Sequence, residues 1–179
     1  MNWYEEKINL EWLIIPIDYI KVSDDIRTVV KLPIVISILT SILYYLFNDT
    51  VHALKVFSEL LLNLDSILIG FTGILVTLLL TTENKTIDIL KANKTDKKLH
   101  GKKVSLYDLL HILFTNALLN ELILLLVVLF NLFLLGLTCN KLISTIGLVV
   151  EEYMILNIIF SMMIGVNNMY WTFKKDGED

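Results

Sequence analysis

Polar positions vanish from four stretches of this chain and return in bursts between them, a pattern that predicts four membrane-spanning helices. The most extreme stretch is residues 109–137, where twenty-one of twenty-nine positions are Leu, Ile, Val or Phe and no Lys or Arg intervenes. At ~1.5 Å per residue it is longer than the ~30 Å hydrocarbon layer of a bilayer. Ser105 with Asp108 three residues later resembles a capping box at its start. Residues 32–47 are apolar except for Ser37, Thr40 and Ser41, and short for a span unless Val29 and Val30 join them. Pro33 falls at the boundary, where its missing N–H leaves most of the helical ladder intact. Residues 51–82 read as helical in two halves. An amphipathic turn-in carries His52, Lys55, Glu59 and Asp65, and a purely spanning half places Ser66, Gly70, Gly73 and Thr77 on one face. Small residues on one face permit close helix contact in lipid. After a very short turn at Cys139, Asn140 and Lys141, the fourth span runs antiparallel to the third from residue 142 to about residue 169 and ends in an aromatic belt, Tyr170, Trp171 and Phe173.

The polar bursts set the orientation. Residues 1–31 form an N-terminal segment with Trp3, Tyr4, Trp12 and Tyr19, suited to the headgroup zone or to a small cap over the loops. Ser23, Asp24 and Asp25 resemble a helix start. The loop at 83–106 is the strongly basic stretch, part of it predicted to continue as a helix that Gly101 breaks. A charged tail occupies 171–179. Alternating spans put thirteen of the fifteen Lys and Arg residues on one side and leave Lys55 and Lys141 on the other. The positive-inside rule makes the first side cytoplasmic, with both termini. The spanning domain is thus residues 32–170, and the fold class is an all-α antiparallel bundle of four transmembrane helices. Composition agrees: the chain is 55% hydrophobic, with a mean hydropathy of +0.67. The net charge of −4 adds little, since the charges are so unevenly placed.

Polar residues inside the spans are the candidate chemistry. A carboxylate near the centre of a span costs about 3 kcal/mol on insertion scales, and central apolar residues return roughly 0.3 to 0.6 kcal/mol each, so the third span inserts with Glu121 inside it. At 100° per residue, Asn116, Asn120 and Asn131 fall within about 60° of one another with Glu121 beside them. In the fourth span Ser144, Gly147, Glu151, Asn157, Ser161, Gly165 and Asn168 share roughly 140° of the helix wheel, and Glu152 points elsewhere. These two faces can meet in one chain or line a centre shared by several copies. Asn116, Asn120, Glu121, Asn131, Glu151, Glu152 and Asn157 are therefore read either as hydrogen-bonded contacts between helices or as a cation pathway. In the basic loop, Lys91, Lys94, Lys97, Lys98, Lys102 and Lys103 are read first as setting the topology, and otherwise as contacts for anionic lipid, nucleic acid or an acidic protein partner. His111 is a lone histidine near the start of the third span, and no His, Cys or Glu spacing suits a metal. With no Gly-rich phosphate loop and no Gly-x-Ser-x-Gly, the chain is expected to be neither an enzyme nor a cofactor protein.

The run from Leu64-Asp65-Ser66 through Gly70-Phe71-Thr72-Gly73 to Leu80, followed by a Lys-rich loop and a Leu-rich span, resembles a group of small four-span bacterial membrane proteins of phage-defence loci. The membrane component of Kiwa-type systems is one example. The resemblance covers roughly residues 58–138 and carries over no site residue. It implies a membrane-embedded defence component that senses membrane disturbance or permeabilises the bilayer, as an oligomer with a cytosolic partner. Expected with it are the bacterial inner membrane, lipid contact, homo-oligomers and no direct nucleic-acid binding. A holin-like or bacteriocin-immunity protein would use the same spans.

Overall fold

The computed structural model describes residues 14–22, 30–47, 49–81, 85–99, 101–137 and 140–176. The features expected at Trp3, Tyr4 and Trp12, at Ser23 to Asp25 and at Cys139 lie outside these residues, as do the side chains beyond Tyr170. In chain order the elements are α1 (Ile14–Val22), α2 (Leu32–Phe47), α3 (Thr50–Thr81), α4 (Lys85–Ala92), β1 (Lys94–Leu99), β2 (Lys102–Ser105), α5 (Leu106–Leu137) and α6 (Lys141–Asp176). Helices α3, α5 and α6 are long and apolar enough to cross a membrane, and α2 is apolar but has 16 residues.

Each long helix starts on a side-chain cap that satisfies otherwise orphaned N–H groups. Asp49 Oδ1 accepts from the amides of Val51 (3.0 Å) and His52 (3.4 Å) at α3. Asn140 Oδ1 accepts from Leu142 (2.9 Å) and Ile143 (3.4 Å) at α6. At α5 the capping is reciprocal: the Asp108 amide donates to Ser105 Oγ (3.1 Å), and the Ser105 amide donates to Asp108 Oδ2 (3.3 Å). A carboxylate of Asp's length thus closes the box that Glu or Gln usually completes.

Residues 51–65 are not a separate turn-in. They belong to the uninterrupted 32-residue α3, whose buried positions Leu54, Ser58, Leu61, Asp65, Thr72 and Leu79 recur every three, four or seven residues along one stripe. Lys55 and Glu59 point away from it, which is why the stretch looks amphipathic in sequence. The small-residue face of Ser66, Gly70, Gly73 and Thr77 is not packed against another helix of the same chain. A Cβ added at Gly70 or Gly73 would meet nothing within 4 Å, and Ser66 and Thr77 are exposed.

The basic loop is the larger correction. Part of it is helical as expected, in α4, but the remainder folds as an antiparallel β1–β2 hairpin, so the chain is not purely α-helical. Gly101 sits in the turn with φ +80°, a left-handed conformation that glycine adopts without a Cβ clash. The Leu106 amide donates to the Asn93 carbonyl (2.8 Å) and closes the hairpin base onto α5.

Packing differs from that of a water-soluble globule in its buried polar residues and its exposed apolar ones. Ser37, Ser41, Ser58, Asp65, Thr72, Glu121, Glu151 and Ser161 are buried, whereas Ile67, Phe71, Leu126, Phe130 and Phe133 are exposed. One apolar cluster joins Tyr19 and Val22 of α1, Ile87 and Leu90 of α4 and Val104 to Leu106, Leu109, Leu110, Leu113 and Phe114 at the start of α5. A second joins Leu61, Leu124, Val128, Ile155 and Ile158 across α3, α5 and α6. Gly147 lets α6 approach closely: a Cβ there would stand 3.1 Å from both Asn131 Nδ2 and Leu54 Cδ2.

Candidate polar site between the helices

The polar residues of α5 and α6 meet within one chain. Glu151 is fully buried on α6 and accepts from Ser58 Oγ of α3 (2.8 and 3.0 Å to its two oxygens) and from Asn131 Nδ2 of α5 (2.9 Å). One carboxylate therefore ties three helices. Glu152, about 100° further round the wheel, turns to α2, where the Thr40 hydroxyl bonds it and Ser41 Oγ lies 3.5 Å away. Asn120 Nδ2 donates to Asn157 Oδ1 (3.2 Å), a second link between α5 and α6.

Asn157 also heads a relay to the N-terminal helix. Ser161 Oγ donates to the Asn157 carbonyl (2.7 Å), which leaves Tyr19 to donate to Ser161 (2.6 Å). Hydroxyls in such a chain polarise one another. Burial raises the Tyr19 phenol above its ordinary pKa of 10.0, partly offset by the bond to Ser161, so the donor proton is retained.

Glu121, fully buried on α5, accepts from Thr72 Oγ1 of α3 (2.7 Å) through Oε1, and its Oε2 has no partner. Asp65 is fully buried on α3 with neither oxygen bonded. Asn116 is buried with its amide nitrogen unbonded. Among the described residues the one ion pair is Lys21 with Asp18 at 3.8 Å, far from these acids in the helix order.

Sequence reasoning anticipated the buried face of α6, where Ser144, Gly147, Glu151, Asn157, Ser161 and Gly165 are all buried. It missed the partners. Ser58, Asp65 and Thr72 are spaced by seven residues, the signal that marks them as one stripe, while Thr40 and Ser41 were legible only as small polar interruptions.

The lysines do not act as one set. Lys94, Lys98, Lys102 and Lys103 are exposed on the hairpin. Lys97 lies on the opposite face of β1 with Thr95 and Leu99, half-buried, and burial pushes its amine pKa down. Lys91 Nζ sits 5.1 Å from the centroid of the Tyr107 ring, which stacks on His111 at 6.4 Å, and the Tyr107 hydroxyl donates to the Leu79 carbonyl (3.0 Å). At the other end of the bundle, Lys141 Nζ lies 4.4 Å from the Tyr45 ring centroid. These contacts put the end of α3 with the start of α5, and the end of α2 with the start of α6. No family model matches the chain, no curated protein matches it in sequence, and no solved structure matches it.

Proposed function

We propose that the chain is a four-span antiparallel bundle of the bacterial cytoplasmic membrane, with both termini and the basic hairpin in the cytoplasm, and that it serves as the membrane-embedded sensing component of a phage-defence system. The resemblance of residues 58–138 motivates the defence assignment. The choice of sensor over open pore is carried by one observation: Glu151, one of the seven polar candidates, is bonded to another, Asn131, and to Ser58 inside a single chain. Buried polar groups spent on joining helices hold a bundle closed.

The contact order supports the antiparallel reading, since Asn120 pairs with Asn157 and the later Asn131 with the earlier Glu151. Helix α2 is about 24 Å long at ~1.5 Å per residue. The helical turn at Val30 and Lys31 before it lengthens the crossing, and a lysine at that point reaches the headgroups. On the cytoplasmic side, the exposed Lys94, Lys98, Lys102 and Lys103 offer a docking surface for a cytosolic protein beside anionic headgroups. The uncovered Gly70 and Gly73 give a second copy a close-contact face.

Two readouts test the proposal together. Proteoliposomes holding the purified chain should show no ion leak above empty vesicles, and cells carrying the intact locus should lose phage resistance when the four hairpin lysines become glutamine. A steady leak that Glu151→Gln abolishes, or resistance indifferent to both the gene and the lysines, would contradict it.

A further inference from the structure

Two kinds of carboxyl occupy the interior. Glu151 is saturated with donors from α3 and α5, as a helix-joining residue should be. Asp65 joins nothing: it is fully buried, and neither of its oxygens has a hydrogen-bond partner. Glu121, also fully buried, keeps one oxygen unpartnered and one on Thr72. A residue retained for glue would not be left without a bond.

The surroundings leave these two acids without a counter-charge. α6 brings Glu151 and Glu152, already bonded to Ser58 and Asn131 and to Thr40 and Ser41, together with the half-buried Tyr153. α2 buries Ser37 and Ser41, and α5 brings His111, stacked on Tyr107 ten residues before Glu121. Among the described residues no Lys, Arg or His pairs with either carboxyl. A carboxyl shielded from water, with an oxygen left unbonded and no counter-charge, does not stay charged. Neutrality comes from a cation taken up, and the one or two unpartnered oxygens of each carboxyl fall far short of the six or more ligands of a calcium site.

We infer that Asp65 and Glu121 are two proton-holding carboxyls in the interior of the bundle, loaded and unloaded from solution and separate from the Glu151 lock. The inference rests on the reading of α3 and α5 as spanning helices. Glu121 then couples the helix packing around Thr72 to proton supply, since a charged Glu121 binds the Thr72 hydroxyl more strongly than a neutral one.

Dicyclohexylcarbodiimide, an apolar reagent for protonated carboxyls, tests this on the full chain in membranes. The carboxyl O–H adds across one C=N bond, the oxygen going to carbon and the proton to nitrogen. Acyl transfer to nitrogen then leaves a stable adduct with no atom lost. Peptide mass spectrometry should find the adduct on Asp65 or Glu121. Labelling should fall with rising pH, by about tenfold per unit above the midpoint as the protonated fraction falls. Glu121→Gln should leave the label on Asp65, Asp65→Asn should leave it on Glu121, and the double variant should lose it. Adducts on neither residue, or labelling that ignores pH, would overturn the proposal. Protection by sodium at fixed pH and ionic strength would also overturn it, replacing the proton with an alkali cation. A chain washed from membranes by alkaline carbonate would contradict the spanning reading itself, whereas a retained but unlabelled chain contradicts the proton-holding carboxyls alone.

Discussion

Glu151 shows how a single side chain organises its surroundings. Its carboxylate receives a hydroxyl from α3 and an amide from α5, and Gly147 one turn earlier removes the Cβ that would hold α6 away. In detergent unfolding, Ser58→Ala and Glu151→Gln should show a coupling of about 0.6 to 1.7 kcal/mol in a double-mutant cycle, the range of hydrogen bonds between membrane helices. Additive effects would show that the bond contributes nothing. Gly147→Ala should destabilise by about 1 to 3 kcal/mol, because its methyl would overlap Asn131 and Leu54 in a filled space. Tyr19 gives the pH dependence a sign. Its folded-state pKa is raised, so its contribution is complete below 10.0 and is lost as pH climbs through the folded value. Hydrogen exchange in α1 should therefore accelerate in that alkaline window, and Tyr19→Phe should remove the pH step while loosening α1 at neutral pH.

At the scale of elements, the long apolar runs were legible from sequence because nothing but a spanning or deeply buried helix accepts so many Leu and Ile residues. The cap at Ser105 was legible too, since a short polar side chain before an apolar run has few other uses. The rest depended on facts outside any one segment. Asp65 looked solvated because Lys55 and Glu59 share its stretch, but those residues leave the opposite side of α3. The partners of Glu152 lie on α2, more than a hundred residues earlier, and no local pattern sets the rotation that brings Thr40 to it. The hairpin was hidden by its lysines, which have low strand propensity. Only the alternation of Thr95, Lys97 and Leu99 and the glycine at the turn hinted at pairing. Gly101→Val should cost about 1 to 2 kcal/mol, the penalty of a left-handed backbone for an ordinary residue. The loss should be visible as faster exchange of the Leu106 amide, which closes the hairpin on Asn93.

At the scale of the molecule, an exposed apolar surface around a hydrogen-bonded interior is what lipid selects, because every buried polar group there needs a partner and every outward one is penalised. Three helices are long enough to meet that demand, and α2 decides whether the chain crosses three times or four. The direct measurement is cysteine accessibility in intact bacteria on a Cys139→Ser background, with single cysteines at positions 2, 55, 98 and 174 and a membrane-impermeant maleimide. Four crossings with a cytoplasmic hairpin predict that position 55 alone labels from outside and that the other three label only after the membrane is broken. Labelling of position 98 in intact cells, or of position 2 with position 55, would contradict that arrangement.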